Sequence, residues 1–242
     1  SCYGPHARAQ HTREAILRLS ATHPRKEALD LLAREAAPAG TSWSPGTTGA
    51  GGSRASASPS IRQYAFLLPK TRLSPVVHID GQDIPVPQPA GVSSTAQGSS
   101  AQPVRVSAPE PALAPSLASE WCEVPLIRLA WARSGDKGDI SNIGVIARSP
   151  LLLPLLRSQL TEAAVATFLA HLVKGRVTRY EVPGIHAFNF VCEQALDGGG
   201  MRSMRNDPLG KGMGQILLSL PIQVPVALLA LCSTPQDPPV HP

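Results

Sequence analysis

Aromatic side chains are scarce in this chain: they make up 4% of its 242 residues. Runs of basic residues are missing too, although the formal net charge is +5. A nucleic-acid surface combines clustered cations with stacking aromatics, so the sequence argues against that partner. The basic excess is spread thinly, with Arg outnumbering Lys 17 to 5. Only four cysteines occur (Cys2, Cys122, Cys192, Cys232), without CxxC or metal-ligand spacing. They read as reduced, mostly buried thiols. No apolar run reaches the ~20 residues of a membrane-spanning helix. The closest, "LLLPLLRSQLTEAAVATFLAHLV", is interrupted by Arg157, Glu162 and His171. No metal-ligand set, nucleophile with a nearby base, or GxxxxGK[ST] phosphate loop is present. The expected partners are therefore a small ligand or a second copy of the chain, with no nucleic acid and no membrane, and no bound cofactor is expected.

Pro (25) and Gly (20) are plentiful, and they concentrate in particular places. Residues 1–84 are mixed. Thr12 reads as an N-cap for "TREAILRLS", with Ile16 and Leu19 on one face. Pro24 opens a second helix that carries Ala28, Leu29 and Leu32 and stops at Pro38. A Gly/Ser/Thr loop follows, and its "TTGAGGS" is a weak candidate for a ligand loop. "IRQYAFLL" and "PVVHIDG" then read as short strands. Residues 85–119 hold no aromatic residue and two charges. Such a segment does not offset an ordering cost of roughly 1–2 kcal/mol per residue, so it reads as a linker. Residues 120–231 read as a compact domain and 232–242 as a tail. The chain starts without Met and in mid-pattern, and reads as a fragment.

Within the domain, "VPLIRLAWA" and "NIGVIA" read as strands. Leu156, Leu160, Ala163, Ala164, Thr167, Phe168 and Leu172 trace one helical face, from Pro154 in the first turn to a stop at Gly175. "VTRYEV" and "HAFNFVCEQAL" read as strands around a Pro183-Gly184 turn, and Leu220 to Val226 as a final strand. Helices alternating with a mostly antiparallel sheet predict an α+β sandwich of ferredoxin-like kind.

Between the first two of those strands lies "RSGDKGD". Arg133 to Asp139 hold two cations, two anions and two glycines, and no apolar side chain. Glycines let a backbone approach a ligand closely, and Arg133 and Lys137 supply charge-assisted hydrogen bonds to an anion. Asp136 and Asp139 hold the cations or act as acid/base groups, and Ser134, Ser141 and Asn142 add neutral groups. A second cluster, "MRSMRNDPLGKG", carries Arg202, Arg205, Asp207 and Lys211. If the two segments meet at one sheet edge they make a polar pocket for an anion. The other reading is a solvated turn in which Asp136 and Asp139 pair with Arg133 and Lys137, and Asp207 with Arg205 and Lys211, each pair worth ~0–1 kcal/mol. Asn189 sits between two aromatics and either braces the charged segment or reaches a ligand. His186 reads as an ordinary strand histidine, and Arg179 and Glu181 as an ion pair in solvent.

The strings "RSGDKGDISNIGVIAR", "RYEVPGIHAFNFV", "AL-GGG--S-R-D--GK" (Ala195 to Lys211) and "LL---I-VP" (Leu217 to Pro225) together resemble the C-terminal module of acyclic terpene utilisation (AtuA-like) proteins. "GPHARAQHTREAIL", "HPRKEALDLLAREAAPAGT", "SPGTTG" and "FLLPK" resemble the end of that family's N-terminal domain. The resemblance implies a ferredoxin-like module after an α/β domain mostly absent from this chain. It also implies a place in the catabolism of citronellol- and geraniol-type terpenoids, which proceeds through CoA thioesters. Two functions follow. One is part of an enzyme on acyl-CoA or branched-acid intermediates, a CoA thioester being the substrate, in the cytoplasm or, with an upstream leader, the mitochondrion. The other is a non-catalytic assembly or regulatory module tethered to a larger domain.

Overall fold

The computed structural model describes residues 2–8, 12–48, 55–62, 64, 66–87 and 120–232. Most of the expected linker, and "GAGGS" of the glycine-rich loop, lie outside them. The chain divides into two compact units, Ser1–Arg62 with Glu110–Pro242, and Gln63–Pro109.

In the first unit, α1 (Lys26–Ala36) forms between Pro24 and Pro38 as its spacing predicts, and a single turn, α2 (Ala39–Ser42), follows. "TREAILRLS" is not helical. Its apolar side chains stay mostly exposed, Ile16 at 86%, and a short helix with so little tertiary packing is marginal in water. The second unit holds a hairpin of β1 (Val76–Ile79) and β2 (Gln82–Pro85). Its two-residue turn has positive φ at both Asp80 and Gly81, the type I′ pattern that suits strand twist. "IRQYAFLL" forms no strand among its described residues.

The remaining elements build the sandwich. They are β3 (Trp121–Pro125), β4 (Ala130–Lys137), β5 (Ile140–Ala147), α3 (Leu153–Gln159), α4 (Glu162–Phe168), β6 (Val177–Val182), β7 (Ala187–Cys192), α5 (Met213–Leu217) and β8 (Pro221–Pro225). Four strands pair antiparallel in the order β4-β5-β7-β6, and β3 pairs with β8. "VPLIRLAWA" is thus two strands rather than one, separated by a 3₁₀ turn over Leu126–Arg128 that follows Pro125. Prolines mark both ends of the β3–β8 ladder, where Pro125 faces Pro221 and Trp121 faces Pro225. Pro donates no ladder hydrogen bond.

Period-two alternation sorts the sheet. Ile143, Val145, Phe188 and Phe190 are buried against the helices, while Asn142, Gly144, Ile146 and Asn189 lie on the other face. The leucine stripe is core as expected: Leu152, Leu156, Leu160, Val165 and Leu169 have no exposed surface. It is two helices, however. Leu160 leaves the helical region (φ −81, ψ 61), and Thr161 restarts it by accepting the Ala164 N–H at 3.1 Å. Gly175 serves close packing rather than a helix stop, since a Cβ there would lie 2.8 Å from the Glu193 carbonyl oxygen.

One side chain guards the free edge of β6. Glu162 Oε1 accepts the Arg179 N–H at 2.8 Å, filling an edge donor that would otherwise invite another strand. Arg179 does pair with Glu181, at 3.5 Å. It is not a solvent pair: its guanidinium donates to the Arg157 and Leu160 carbonyls at the end of α3 and lies over Phe188.

The chain's first residues also pack onto this domain. His6 stacks on Phe168 and its Nε2 lies 2.7 Å from the Phe168 carbonyl oxygen, while His171 Nε2 donates to the Cys2 carbonyl at 3.0 Å. Gly4 allows the approach, with φ +51 and a missing Cβ that would fall 2.4 Å from the His171 ring.

Candidate functional site

"RSGDKGD" is not a loop. Arg133 to Lys137 are the end of β4, and the chain reverses within Gly138-Asp139. Gly138 has φ +72 and Asp139 has negative φ, the pattern of a type II′ hairpin turn. Gly138 was the legible signal, opening a two-residue turn, but the charge density around it masked the strand. Arg133, Gly135 and Lys137 accordingly share one face of the strand, and Ser134 and Asp136 the other.

The second polar segment folds against this hairpin tip. The Asp139 carboxylate accepts the Gly198 N–H at 2.8 Å and the Leu196 N–H at 3.2 Å, and its carbonyl accepts the Ala195 N–H at 2.9 Å. Gly199 sits so close that a Cβ would lie 2.3 Å from the Gly138 carbonyl oxygen, and its φ is +77. Buried Ser134 donates to the Gly210 carbonyl at 2.6 Å and accepts the Gly214 N–H at 2.8 Å. The segments at 133–142 and 196–212 therefore meet, although more than fifty residues separate them.

Their contacts sort the candidate residues into two groups. Ser134, Asp139, Arg205 and Asp207 hold the scaffold. Asp207 accepts the Lys211 N–H at 2.9 Å and the Gly212 N–H at 2.7 Å, just before α5. Arg205 donates to the Ala195 carbonyl, and Arg18, which sequence reasoning did not single out, donates to Asn206 Oδ1 at 3.2 Å. The second group faces outward: Arg133, Lys137, Asn142, Asn189, Lys211 and, on the outer loop, exposed Arg202. Lys211 Nζ reaches back over the first segment. It lies 3.5 Å from Asp136 Oδ1, and 3.2 Å from where a Cβ on Gly135 would be. Asn142 pairs directly across from Gly135, and its Nδ2 donates to Asn189 Oδ1 at 3.4 Å. Asn189 thus meets the charged motif through Asn142 and is only half buried.

The expected ring of internal ion pairs does not form. Two of its three carboxylates are engaged by backbone N–H groups. Among the described residues, Arg133 has no ion pair and Lys137 donates only to the Asp136 carbonyl, at 3.1 Å. Asp139 Oδ1 and both Asp207 oxygens accept backbone N–H groups, and among the described residues neither carboxylate forms an ion pair with Arg133 or Lys137. His186 is exposed at φ +52 in the turn before β7. Burial pushes the Cys192 thiol up to about 12, which makes it a poor nucleophile. No group of three metal ligands occurs among the described residues.

Against known proteins, residues 124–223 match the family model described as the AtuA ferredoxin-like domain. This segment is an AtuA ferredoxin-like domain. The match runs from β3 to β8 and contains both polar segments, in agreement with the resemblance carried by the four sequence strings. No curated protein and no solved structure matches the chain. The AtuA ferredoxin-like domain departs from the simplest form of its fold in one respect that matters here. The final strand β8 pairs with β3 outside the four-stranded sheet, and the place beside β5 is taken by β4, which carries Arg133 and Lys137.

Proposed function

We propose that the AtuA ferredoxin-like domain binds a small anionic ligand beside β4, through Arg133, Lys137 and Lys211 with the amides of Asn142 and Asn189. The observation that carries this reading is a group of cations with few direct ion pairs. Three cations flank Gly135, and among the described residues Asp136 alone pairs with one of them, Lys211, while Asp139 and Asp207 turn oxygens to backbone N–H groups. A carboxylate or phosphate would receive charge-assisted hydrogen bonds worth ~1.5–3 kcal/mol each. The link of AtuA-like proteins to acyclic terpenoid breakdown suggests the ligand's identity, an acyl-CoA or branched-acid intermediate. The role is binding and orientation, since no group here is set up as nucleophile or base.

Calorimetric titration of the full chain with inorganic phosphate, a branched short-chain carboxylate and CoA tests this. Binding in the micromolar to millimolar range is expected, weakened ~100-fold or more in Arg133→Ala/Lys211→Ala, which removes two such bonds. Absence of heat and of any thermal shift at millimolar concentrations of all three would end the proposal.

A second reading has its own observation. Trp131, Ile146 and Tyr180 are exposed on the same sheet face, as an assembly module would require. A concentration-independent monomer mass by light scattering would remove it.

A further inference from the structure

Gly144 has no reason within the fold to be glycine. It lies in the middle of β5, its φ is not positive, and a Cβ there would meet only the Arg133 carbonyl oxygen, at 3.8 Å. Glycine inside a strand costs stability relative to a side chain that packs, and it often marks close approach by a ligand. The register shows what surrounds it. Arg133, Gly144, Asn189 and Tyr180 are paired in one row across β4, β5, β7 and β6. The row spans about 14 Å at the usual strand spacing. At one end stands Arg133, with Lys137 four residues further along the same face of β4, and at the other Tyr180, 54% exposed. The ring of Tyr180 is open, whereas the Trp131 ring, on the opposite edge strand, is already covered by the Arg148 guanidinium at 4.6 Å.

The geometry points to a nucleotide-binding tray, with an adenine nucleoside diphosphate as the ligand class. Its base stacks on Tyr180, the Asn189 amide reads the base edge, the sugar crosses the glycine floor at Gly144, and the phosphates end at Arg133 and Lys137. Each part has its physical reason. Exposed aromatics on an open four-stranded sheet are stacking platforms. An Asn amide matches the paired donor and acceptor of adenine. Planar guanidinium binds phosphate in a fork. Charge is distributed to match such a ligand, with cations at one end of the row only. This inference rests on the anion-binding reading and gives its ligand a shape; the nucleotide portion of CoA falls within it.

The test titrates the full chain with ADP, adenosine and inorganic phosphate. ADP is expected to bind more tightly than phosphate. Tyr180→Ala should weaken ADP about tenfold, the effect of removing one stacked base, and leave phosphate unchanged, while Tyr180→Phe behaves like the natural chain. Gly144→Val is the sharper variant: it should leave the melting temperature unchanged or raised, because a β-branched residue suits a strand, yet abolish ADP binding. Equal binding of ADP and phosphate, with both variants silent, overturns the tray and leaves the anion site standing. Binding of neither ligand overturns both. Tighter binding of a single-stranded RNA than of ADP would also overturn it, in favour of a polymer on the same face.

Discussion

Replacing Asp139 tests how the two polar segments are joined. Its carboxylate bonds the N–H groups of Leu196 and Gly198, at 3.2 and 2.8 Å. Bonds to a charged acceptor are worth ~1.5–3 kcal/mol each. Gly198 is exposed, so water can replace part of the loss there. Asp139→Ala should therefore destabilise the domain by ~2–3 kcal/mol, the low end of that range for two bonds. For a domain of this size that lowers the melting temperature by about 10 °C. Asp139→Asn, which keeps one carbonyl acceptor without charge, should fall between the two. The assay is thermal unfolding by circular dichroism, with backbone hydrogen exchange at 195–212 as a local readout. Faster exchange at Leu196 and Gly198 is expected, together with weaker phosphate binding as Lys211 loses its position over Gly135. A melting temperature within about 2 °C of the natural chain in both variants, with protection at 195–212 intact, would refute the claim that this carboxylate fastens the second segment to the hairpin tip.

Two further outcomes follow from other parts of the fold. Burial raises the Cys192 thiol from 9.0 to about 12. The unfolded chain therefore loses this proton before the folded one does, and stability falls as pH rises through that window. About 4 kcal/mol is lost by its upper end; Cys192→Ala should flatten the decline in a series of denaturant melts, and an unchanged slope would exclude Cys192 as its source. Gly4→Ala should release residues 2–8 from α4, because the new methyl meets the His171 ring at a positive φ. Hydrogen exchange at residues 2–8 should rise to that of a free segment, and unchanged protection there would show that the contact does not depend on Gly4.

Much of the sheet was readable from local pattern. "VTRYEV" and "HAFNFV" alternate cleanly, and Pro183-Gly184 separates them where a turn is needed. The leucine stripe from 152 to 169 was readable as core but not as two helices. Both helices bury the same face, so the periodicity runs on across the break at Leu160 and Thr161. "TREAILRLS" misled in the opposite way. Its spacing is helical, but a few apolar residues do not hold a short helix unless something packs on them. "RSGDKGD" misled because charge was taken for a loop, whereas β4 needs only one buried face.

What the sequence determines by itself is short in range: which residues alternate, where a glycine permits a reversal, and which polar side chains lie near one another along the chain. Through its four strings it also determines the likeness of residues 124–223 to the AtuA ferredoxin-like domain, with the ferredoxin-like fold that this entails. Only the tertiary structure decides which charges remain unsatisfied. Asp139 and Asp207 might each have neutralised a cation nearby, and their composition and spacing do not say otherwise. It takes the folding of 196–212 against the hairpin tip to bring backbone N–H groups to Asp139, and the turn before α5 to bring them to Asp207. A carboxylate held in that way makes no direct ion pair with Arg133 or Lys137. The alignment of Arg133, Gly144, Asn189 and Tyr180 is likewise a matter of strand register, set by pairing between segments up to some fifty residues apart, and no local pattern encodes it.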